Sequence, residues 1–432
     1  SSGPIDSLSG DDSQADSDFT TDGRLAFFVD GKFGEEWRIT ASADTREGPV
    51  EDLFSNFMDK SPESLLRRID PEYYYPTFGD DSTVEETAPT SGKFYAKLSH
   101  DENYGVWGNF KVGYMQNELA QVDRGLYGAN GRFQSDSTTR FGERRFAADA
   151  FVAEPGTIAS REEFLGTGGS LYYLNRQDIL TGSERLRIEI RDKASGIVTG
   201  VLNLTPTLDY DIDYSQGRIL LSQPLSSTVD DELLVRSNAL SGDEAYLVVR
   251  YEYTPGFEEV DTLTAGGQAH YWFGDHVKLG LTSNQSEQDG ENSSLHGGDL
   301  TLRMSSDTWL KLQGGRSEGL VSTSLSSNDG GFGFVGYDPV AFESAEADAY
   351  RVDLSANSGD LIGVGDGRVT VYFQELEAGY TAPGLLTLTD TTNVGGSVSV
   401  PVIDDLSFTA KLDNRTQENG IETRAQEYNL TY

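Results

Sequence analysis

The sequence predicts an all-β protein: a transmembrane antiparallel β-barrel of about 14–16 strands or more, with an inserted small β-sandwich domain and a short helical segment. Three observations predict this class. Apolar and polar residues alternate over stretches of roughly 9–11 residues, the length that a tilted strand needs to cross a bilayer. The polar positions carry charges of both signs, and the connections between strands alternate between short and long.

The alternation begins near residue 24 and is clear at residues 37–44, where Trp37 and Ile39 alternate with Arg38 and Thr40. Successive side chains of a strand point to opposite faces, so this stretch has one apolar and one polar face. The pattern is most regular after residue 263, and it continues to the last strand at residues 427–432.

A soluble barrel also alternates, but its apolar side chains point inward. Charges of both signs on nearly every strand indicate a wide, wet interior, which is typical of outer-membrane barrels. The turn at residues 273–276 is short, whereas the connection at residues 316–345 is long, as expected for tight periplasmic turns and longer outer loops. A large soluble β-sandwich or β-helix protein of the cell surface stays open as the alternative.

The composition excludes several classes of function. The chain has 432 residues, a net charge of -38 and no cysteine. Clustered Lys and Arg are required to bind phosphate, so nucleic acid is not an expected partner. A disulfide framework and a cysteine nucleophile are impossible. No acid, base or nucleophile constellation stands out, so the chain is not expected to be an enzyme.

Four regions are expected along the chain. Residues 1–22 form an acidic tail or linker, and residues 23–164 form the first part of the barrel. That part includes a helical insert at residues 47–80, where two short segments each have Pro near the start and acidic residues in the first turn. Residues 165–256 form the inserted soluble β domain, because their strands are shorter and apolar on both faces in places. Residues 257–432 form the second part of the barrel.

The polar positions of the predicted barrel strands define a candidate lumen. Its charges would attract or repel solutes that pass through the barrel. The residues expected to line the lumen are Arg38, Lys97, Lys111, Arg132, Asp299, Arg303, Arg351, Asp353, Lys411 and Asp413.

One candidate metal site lies in the inserted domain. Asp209, Asp211 and Asp213 alternate on one strand face, and carboxylate oxygens are the ligands that Ca²⁺ prefers. A solvated strand face explains the same pattern. No other cofactor is expected.

Several motifs carry a resemblance to known proteins. The stretch Asp70-Pro71-Glu72-Tyr73-Tyr74-Tyr75-Pro76 is followed by Trp107-Gly108-Asn109-Phe110 and Gly142-Glu143-Arg144-Arg145. Together these resemble a group of large, poorly characterised Gram-negative outer-membrane proteins, loosely labelled OmpA-family or TonB-receptor-like. The resemblance covers most of residues 24–260. It implies an outer-membrane barrel and no established activity.

A second, shorter resemblance lies in the inserted domain. Asp209-Tyr210-Asp211-Ile212-Asp213-Tyr214 with Gly217-Arg218 is similar to modules in large outer-membrane translocons. The chain departs from the first group, because no TonB-box-and-plug sequence is seen ahead of the first strand. No OmpA-type peptidoglycan-binding domain is evident either.

Two function classes follow. The first is a transport or translocation channel, or a pore component, in the bacterial outer membrane. The second is a structural or adhesive surface protein whose barrel is an anchor and whose inserted β domain binds a partner. In both cases outer-membrane lipid is the expected environment, and other envelope or surface proteins are candidate partners. Loops or the inserted domain would be exposed outside the bilayer.

Overall fold

A long antiparallel sheet and a smaller two-sheet unit make up the protein. The structure, a computed structural model, describes residues 22–34, 36–45, 48–49, 54, 88, 94–154, 157–180, 182–191, 198–229, 243–253, 262–288, 291–319, 323–336, 346–363, 367–383, 385–403 and 406–431. The expected tail at 1–22 lies almost wholly outside the described residues. Nearly all of the expected helical insert at 47–80 does too.

The long sheet has fifteen strands, and each strand is antiparallel to its neighbours. In sheet order, the strands are β2 (Ala26–Phe33), β3 (Trp37–Asp44), β5 (Phe94–His100), β6 (Asn103–Tyr114), β7 (Val122–Gln134), β8 (Phe146–Ala153), β17 (Thr262–Phe273), β18 (Val277–Gln288), β19 (Glu291–Arg303), β20 (Trp309–Glu318), β23 (Glu346–Asn357), β24 (Arg368–Leu376), β27 (Thr391–Ile403), β28 (Leu406–Gln417) and β29 (Glu422–Thr431). The all-β class and the strand number are confirmed.

The sheet is an open path rather than a closed ring in the described part of the chain. It begins at β2 and ends at β29, and no described strand pairs with the far edge of either. Two pairs of short strands form separate two-stranded sheets. These are β1 (Asp22–Gly23) with β4 (Gly48–Pro49), and β25 (Thr381–Ala382) with β26 (Leu385–Leu386).

The smaller unit is inserted between β8 and β17 and consists of two sheets. One has three strands, in the order β10 (Leu171–Tyr173), β14 (Arg218–Leu221) and β13 (Tyr210–Asp213). The other has seven strands, in the order β12 (Val198–Asn203), β11 (Arg185–Arg191), β16 (Asp243–Tyr253), β9 (Ile158–Leu165), β21 (Thr323–Ser327) and β22 (Val335–Gly336), with β15 (Thr228–Val229) paired to β16.

The two sheets of the insert enclose one apolar core. Phe164 and Leu247 come from the seven-stranded sheet, whereas Tyr172, Tyr210 and Ile219 come from the three-stranded sheet, and all five are buried. Sheets that pack face to face in this way form a β-sandwich.

The insert is joined to the long sheet by a strand from elsewhere in the chain. β21 follows β20 of the long sheet, yet it pairs in parallel with β9, where Thr323 lies opposite Ser160. The sandwich therefore draws one edge from the connection at residues 316–345. It also begins at Ile158, ahead of the expected range of 165–256.

One short helix, α1 (Ser358–Ile362), connects β23 to β24. The Asn357 side chain caps its first turn by accepting a hydrogen bond from the backbone nitrogen of Gly359. In the part of the chain that the structure describes, no helix has the length and apolarity to span a bilayer.

Glu162 is an acidic residue that is fully buried beside the sandwich core. The Tyr251 hydroxyl and the backbone nitrogen of Asn175 donate hydrogen bonds to its carboxyl group. Burial raises the pKa of Glu162 from 4.5 to about 7. Its neighbour Glu163 lies on the other side of the same strand. There, burial acts in the same direction, but Arg161 and Arg191 outweigh it and lower the pKa of Glu163 to about 2.

Glu162→Gln should make the sandwich more stable at pH 8 and leave it unchanged at pH 4. A carboxyl whose pKa is higher in the folded state weakens folding as the pH rises from its unfolded value towards its folded value. Between pH 4.5 and about pH 7, the wild type loses about 3 kcal/mol of its free energy of unfolding through this group. Urea unfolding of both proteins at pH 4 and pH 8 measures the difference.

Glu163→Gln is the matched control, because its carboxylate stabilises the fold at every pH above 4.5. That variant should be less stable than the wild type at pH 8. A Glu162→Gln protein whose stability keeps the wild-type pH dependence would contradict the raised pKa of the buried Glu162.

Candidate functional site

The two faces of the long sheet differ in what covers them. We call the inner face the side on which the β6–β7 connection packs, and the outer face the opposite side. On β23, Ala349, Asp353 and Ser355 point to the inner face and are buried, whereas Tyr350 and Leu354 point to the outer face and are exposed. The pattern is inverted relative to a soluble barrel, in which the apolar side chains are inside.

Apolar side chains line up across the outer face from strand to strand. The pairing keeps its register along the strands, apart from one shift between Pro401 and Ile403 in β27, so residues of the same kind meet their counterparts on the next strand. Many of these side chains are well exposed, including Leu279 at 47%, Val394 at 43% and Phe373 at 38%. One continuous row runs through Tyr271, Leu279, Leu300, Leu312, Val352, Phe373 and Val394.

The inner face carries a row of polar groups at the corresponding level. The row runs through Asp299, Gln313, Arg351, Gln374, Asn393 and Arg415.

These side chains bond to each other along and between rows. Arg351 donates to Gln374 at 2.8 Å and to Asp353 at 2.7 Å, and Gln313 donates to Asp353 at 2.9 Å. Lys278 lies 3.3 Å from Asp299. The network holds charges of both signs in fixed positions on one surface.

Nine of the ten residues expected to line a lumen lie on this inner face. Arg38 and Arg132 share one register row, and Arg132 pairs with Asp149 at 2.8 Å. The ammonium of Lys97 lies over the ring of Tyr104. Arg303 pairs with Glu143, and Lys411 lies 3.6 Å from Asp413.

Lys111 is the exception, because it lies on the outer side of β6. The residues before and after it, Phe110 and Val112, are buried on the inner side, where they pack with Phe151. The apolar side of β6 therefore faces inward at this point. The sequence argument placed Lys111 on the inner face because it assumed that apolar residues face outward on every strand.

A short connection between β6 and β7, residues 115–121, folds back onto the inner face. We call it the inward loop. Asn117 is fully buried, and its amide nitrogen donates to the carbonyl oxygens of Gly298 at 3.0 Å and Gly314 at 3.2 Å. Its side-chain oxygen accepts from the backbone nitrogens of Leu119 and Ala120 at 2.9 and 3.2 Å. One side chain thus closes the loop and fastens it to β19 and β20.

Further contacts hold the inward loop. The Tyr380 hydroxyl donates to the Leu119 carbonyl at 2.9 Å. Lys311 donates to the Gln116 carbonyl at 2.6 Å. Glu118 pairs with Arg351 at 3.1 Å and connects the loop to the polar row.

Two glycines of the wall make room for the loop. A Cβ atom on Gly297 would lie 2.4 Å from the Cβ of Ala120, and one on Gly315 would lie 2.3 Å from the Tyr380 hydroxyl. Both distances are too short for any other residue type without a shift of the loop. The neighbouring Gly298 and Gly314 have no such contact, because they face the other side of the sheet.

A polar cavity of ≈ 1200 Å³ lies between the insert and the inner face of the wall. The insert contributes Arg161, Glu163 and Arg191, and the wall contributes Lys411 and Arg415, among other residues. Glu118 of the inward loop also lines it. The wall, the loop and the sandwich therefore enclose one charged chamber.

Two of the three aspartates considered for calcium accept hydrogen bonds within turns. Asp213 accepts from Ser215 and from the backbone nitrogen of Gln216, and Asp209 accepts from the backbone nitrogen of Thr205. In the described ranges, no group of three or more His, Asp or Glu residues is placed to hold a metal ion. Calcium binding by Asp209, Asp211 and Asp213 stays a prediction.

The candidate lumen residues did not include Lys278, Lys311 and Arg415 of the inner face, although Lys278 and Lys311 alternate with apolar residues. It also missed the inward loop. The usable signal was the pair of double glycines at 297–298 and 314–315, which lie opposite each other on neighbouring strands. Two adjacent glycines on paired strands indicate that another part of the backbone approaches closely.

Gly297→Ala should loosen the inward loop. Its Cβ would meet Ala120 and the Asn117 amide, which is 2.8 Å away. Loss of one to two kcal/mol of local stability corresponds to amide exchange that is roughly 5–30-fold faster. Hydrogen–deuterium exchange at the backbone amides of Leu119 and Ala120 measures this change.

Gly298→Ala is the matched control, because its Cβ would make only an ordinary 3.8 Å contact with Leu281. Its exchange at the two amides should equal that of the wild type. Equal exchange in both variants would show that the loop is not held by the fit at Gly297.

Comparison with known proteins gives no family for this chain. No family model and no curated protein matches it, and nothing in the comparisons supports an OmpA-family or TonB-receptor label. Similar solved structures include Pseudomonas aeruginosa OccK5 (OpdH), with a TM-score of 0.29, 10% identity and coverage of 95% of this chain and 91% of that one. Acinetobacter baumannii OccAB4 has a TM-score of 0.28, 12% identity and coverage of 98% and 93%. TM-scores this low carry no argument about fold or function.

Proposed function

We propose that this chain forms the wall of an outer-membrane β-barrel channel for transport or translocation, with a non-enzymatic role. The single observation that carries the proposal is the inverted sheet: its exposed face is apolar, and its buried face is polar and charged. In water, contiguous exposed apolar surface of this extent is unfavourable. In a bilayer, the same surface lies against lipid chains, and the cost disappears.

The backbone of the long sheet suits the same environment. Lipid offers no hydrogen-bond partners, so a membrane-spanning strand must satisfy its amides and carbonyls through neighbouring strands. The thirteen interior strands of the fifteen have a paired neighbour on each side. Most are 8–13 residues long, which meets the roughly 9–11 residues that a tilted strand needs.

The inner network supports a water-filled interior. Placing charged side chains such as Arg351, Asp353 and Lys411 against lipid would cost much free energy. The cost is low where water can hydrogen-bond to the atoms that have no protein partner. The inward loop and the sandwich lie on this same side and narrow the space. Solutes would pass beside Glu118 and Arg351, where a cation and an anion face the cavity together.

A second role is supported by one specific observation on the sandwich. Leu171, Leu220 and Phe332 are 43%, 50% and 81% exposed. Leu171 lies opposite Leu220 in the three-stranded sheet, and the ring of Phe332 lies 5.6 Å from that of Tyr173 in the same sheet. An exposed apolar cluster of this kind is typical of a protein contact. The alternative function is therefore an anchor whose sandwich binds another envelope or surface protein.

Val371→Arg should impair folding into phospholipid vesicles, whereas Thr370→Arg should be tolerated. Val371 is 45% exposed on the outer face, and the adjacent Thr370 lines the polar cavity. An arginine on the lipid face costs about 2–4 kcal/mol near the bilayer centre. A urea titration of folding in vesicles compares the two variants. The reverse order, with Thr370→Arg the more damaging, would indicate a water-soluble sheet.

Planar-bilayer recordings test the channel itself. The reconstituted chain should conduct ions, and Gly297→Ala should conduct more than the wild type because the inward loop no longer narrows the interior. Gly298→Ala should match the wild type. A chain that inserts into lipid but never conducts would exclude the channel and leave the anchor as the function.

A further inference from the structure

The side of the sandwich that faces the long sheet is a layer of arginines and carboxylates. Asp123 of β7 lies 3.1 Å from Arg185, and Arg124 lies 2.7 Å from Glu252. Arg250 donates to the carbonyl of Pro383, in the β24–β27 connection, at 3.1 Å. These contacts join the insert to two separate parts of the wall.

Arginines and carboxylates alternate in this layer. Among the described residues its arginines are Arg124, Arg161, Arg185, Arg187, Arg191 and Arg250. Its carboxylates include those of Asp123, Glu163, Glu189, Glu244 and Glu252.

Five of the six arginines have a carboxylate oxygen within 3.1 Å or closer. Arg250 does not, because the nearest carboxylate, that of Asp123, is 3.9 Å away and is already bound by Arg185. Arg250 is therefore the cation without a close counter-ion.

The guanidinium of Arg250 is buried and incompletely bonded. The residue is 7% exposed, and its Nε and Nη1 atoms have no hydrogen-bond partner. Nε of Arg161, a residue that is 2% exposed, also has none. A buried donor without an acceptor is costly, and more so when it is charged.

These two arginines line one small cavity of ≈ 40 Å³. Asp123 and Glu252 line it as well, but both are held by Arg185 and Arg124. Burial lowers the pKa of Arg250 to about 9, and the charges of Arg187 and Arg161 act in the same direction.

We propose that this cavity, which lies where the sandwich meets the wall, binds one small inorganic anion such as a halide, which bonds to Arg250 and Arg161. The cavity has room for a chloride or bromide ion. Water would fit as well, but it would leave the charge of Arg250 without a close counter-ion. The site is independent of whether the barrel conducts.

Bromide tests the site directly in the wild-type protein. Crystals grown in sodium bromide should show an anomalous scattering peak in the cavity, within hydrogen-bonding distance of the Arg250 guanidinium. A peak with no anomalous signal would identify water only and would overturn the proposal.

Thermal unfolding in detergent gives a second test at constant ionic strength. Replacing gluconate by chloride should raise the midpoint by about 2–4 °C. Arg250→Met should abolish this difference, whereas Arg218→Gln, on the exposed side of the sandwich, should keep it. Equal wild-type midpoints in the two salts, or a difference that persists in Arg250→Met, would contradict the anion site.

Discussion

The structure depends on one constraint, the constant register of fifteen antiparallel strands. Side chains alternate between two faces along each strand, so a slip of one residue would transfer a whole strand's apolar set to the inner face. The apolar row from Tyr271 to Val394 and the polar row from Asp299 to Arg415 exist only because every ladder keeps step with the next. The inverted distribution of polarity is thus a property of the ladder as a whole.

Two glycines of the wall determine where the inward loop packs on the inner face. Gly297 and Gly315 lie opposite each other on β19 and β20, and together they form a shallow seat on the inner face. Asn117 fills that seat and exchanges four hydrogen bonds with the loop and the wall. Arg351 of the adjacent polar row then forms an ion pair with Glu118 of the loop. The inward loop is therefore held both by its fit against the two glycines and by its ion pair with the polar row.

The sandwich is connected to the wall by charge rather than by apolar packing. Its own core is closed around Phe164, Tyr172 and Leu247. Its other side meets the wall through ion pairs such as Arg124 with Glu252. Removing one partner of a buried ion pair leaves an uncompensated charge and strongly destabilises a protein. The stability of the contact between sandwich and wall therefore depends on which charged residues this layer contains.

The sequence predicted the class, the strand number and the side of nine candidate residues because alternation is a local signal. The sequence did not predict features that depend on contacts between residues far apart in the chain. Lys111 was misplaced because the apolar side of β6 packs inward against Phe151. Pairing of β21 with β9 and the bonding of Asn117 to Gly298 join residues far apart in the chain. No periodicity within one strand contains that information.

The parity of the open sheet has a geometric consequence. Fifteen strands that alternate in direction give β2 and β29 the same direction. A seam formed by these two edges would be a parallel pair, with slanted hydrogen bonds and a different stagger of side chains. A wall that is antiparallel all round requires an odd number of strands between them. Closure is therefore of two kinds: β2 and β29 pair directly and in parallel, or further strands lie between them. A distance between labels on β2 and β29 distinguishes the two kinds, because it is shorter when the two strands pair directly.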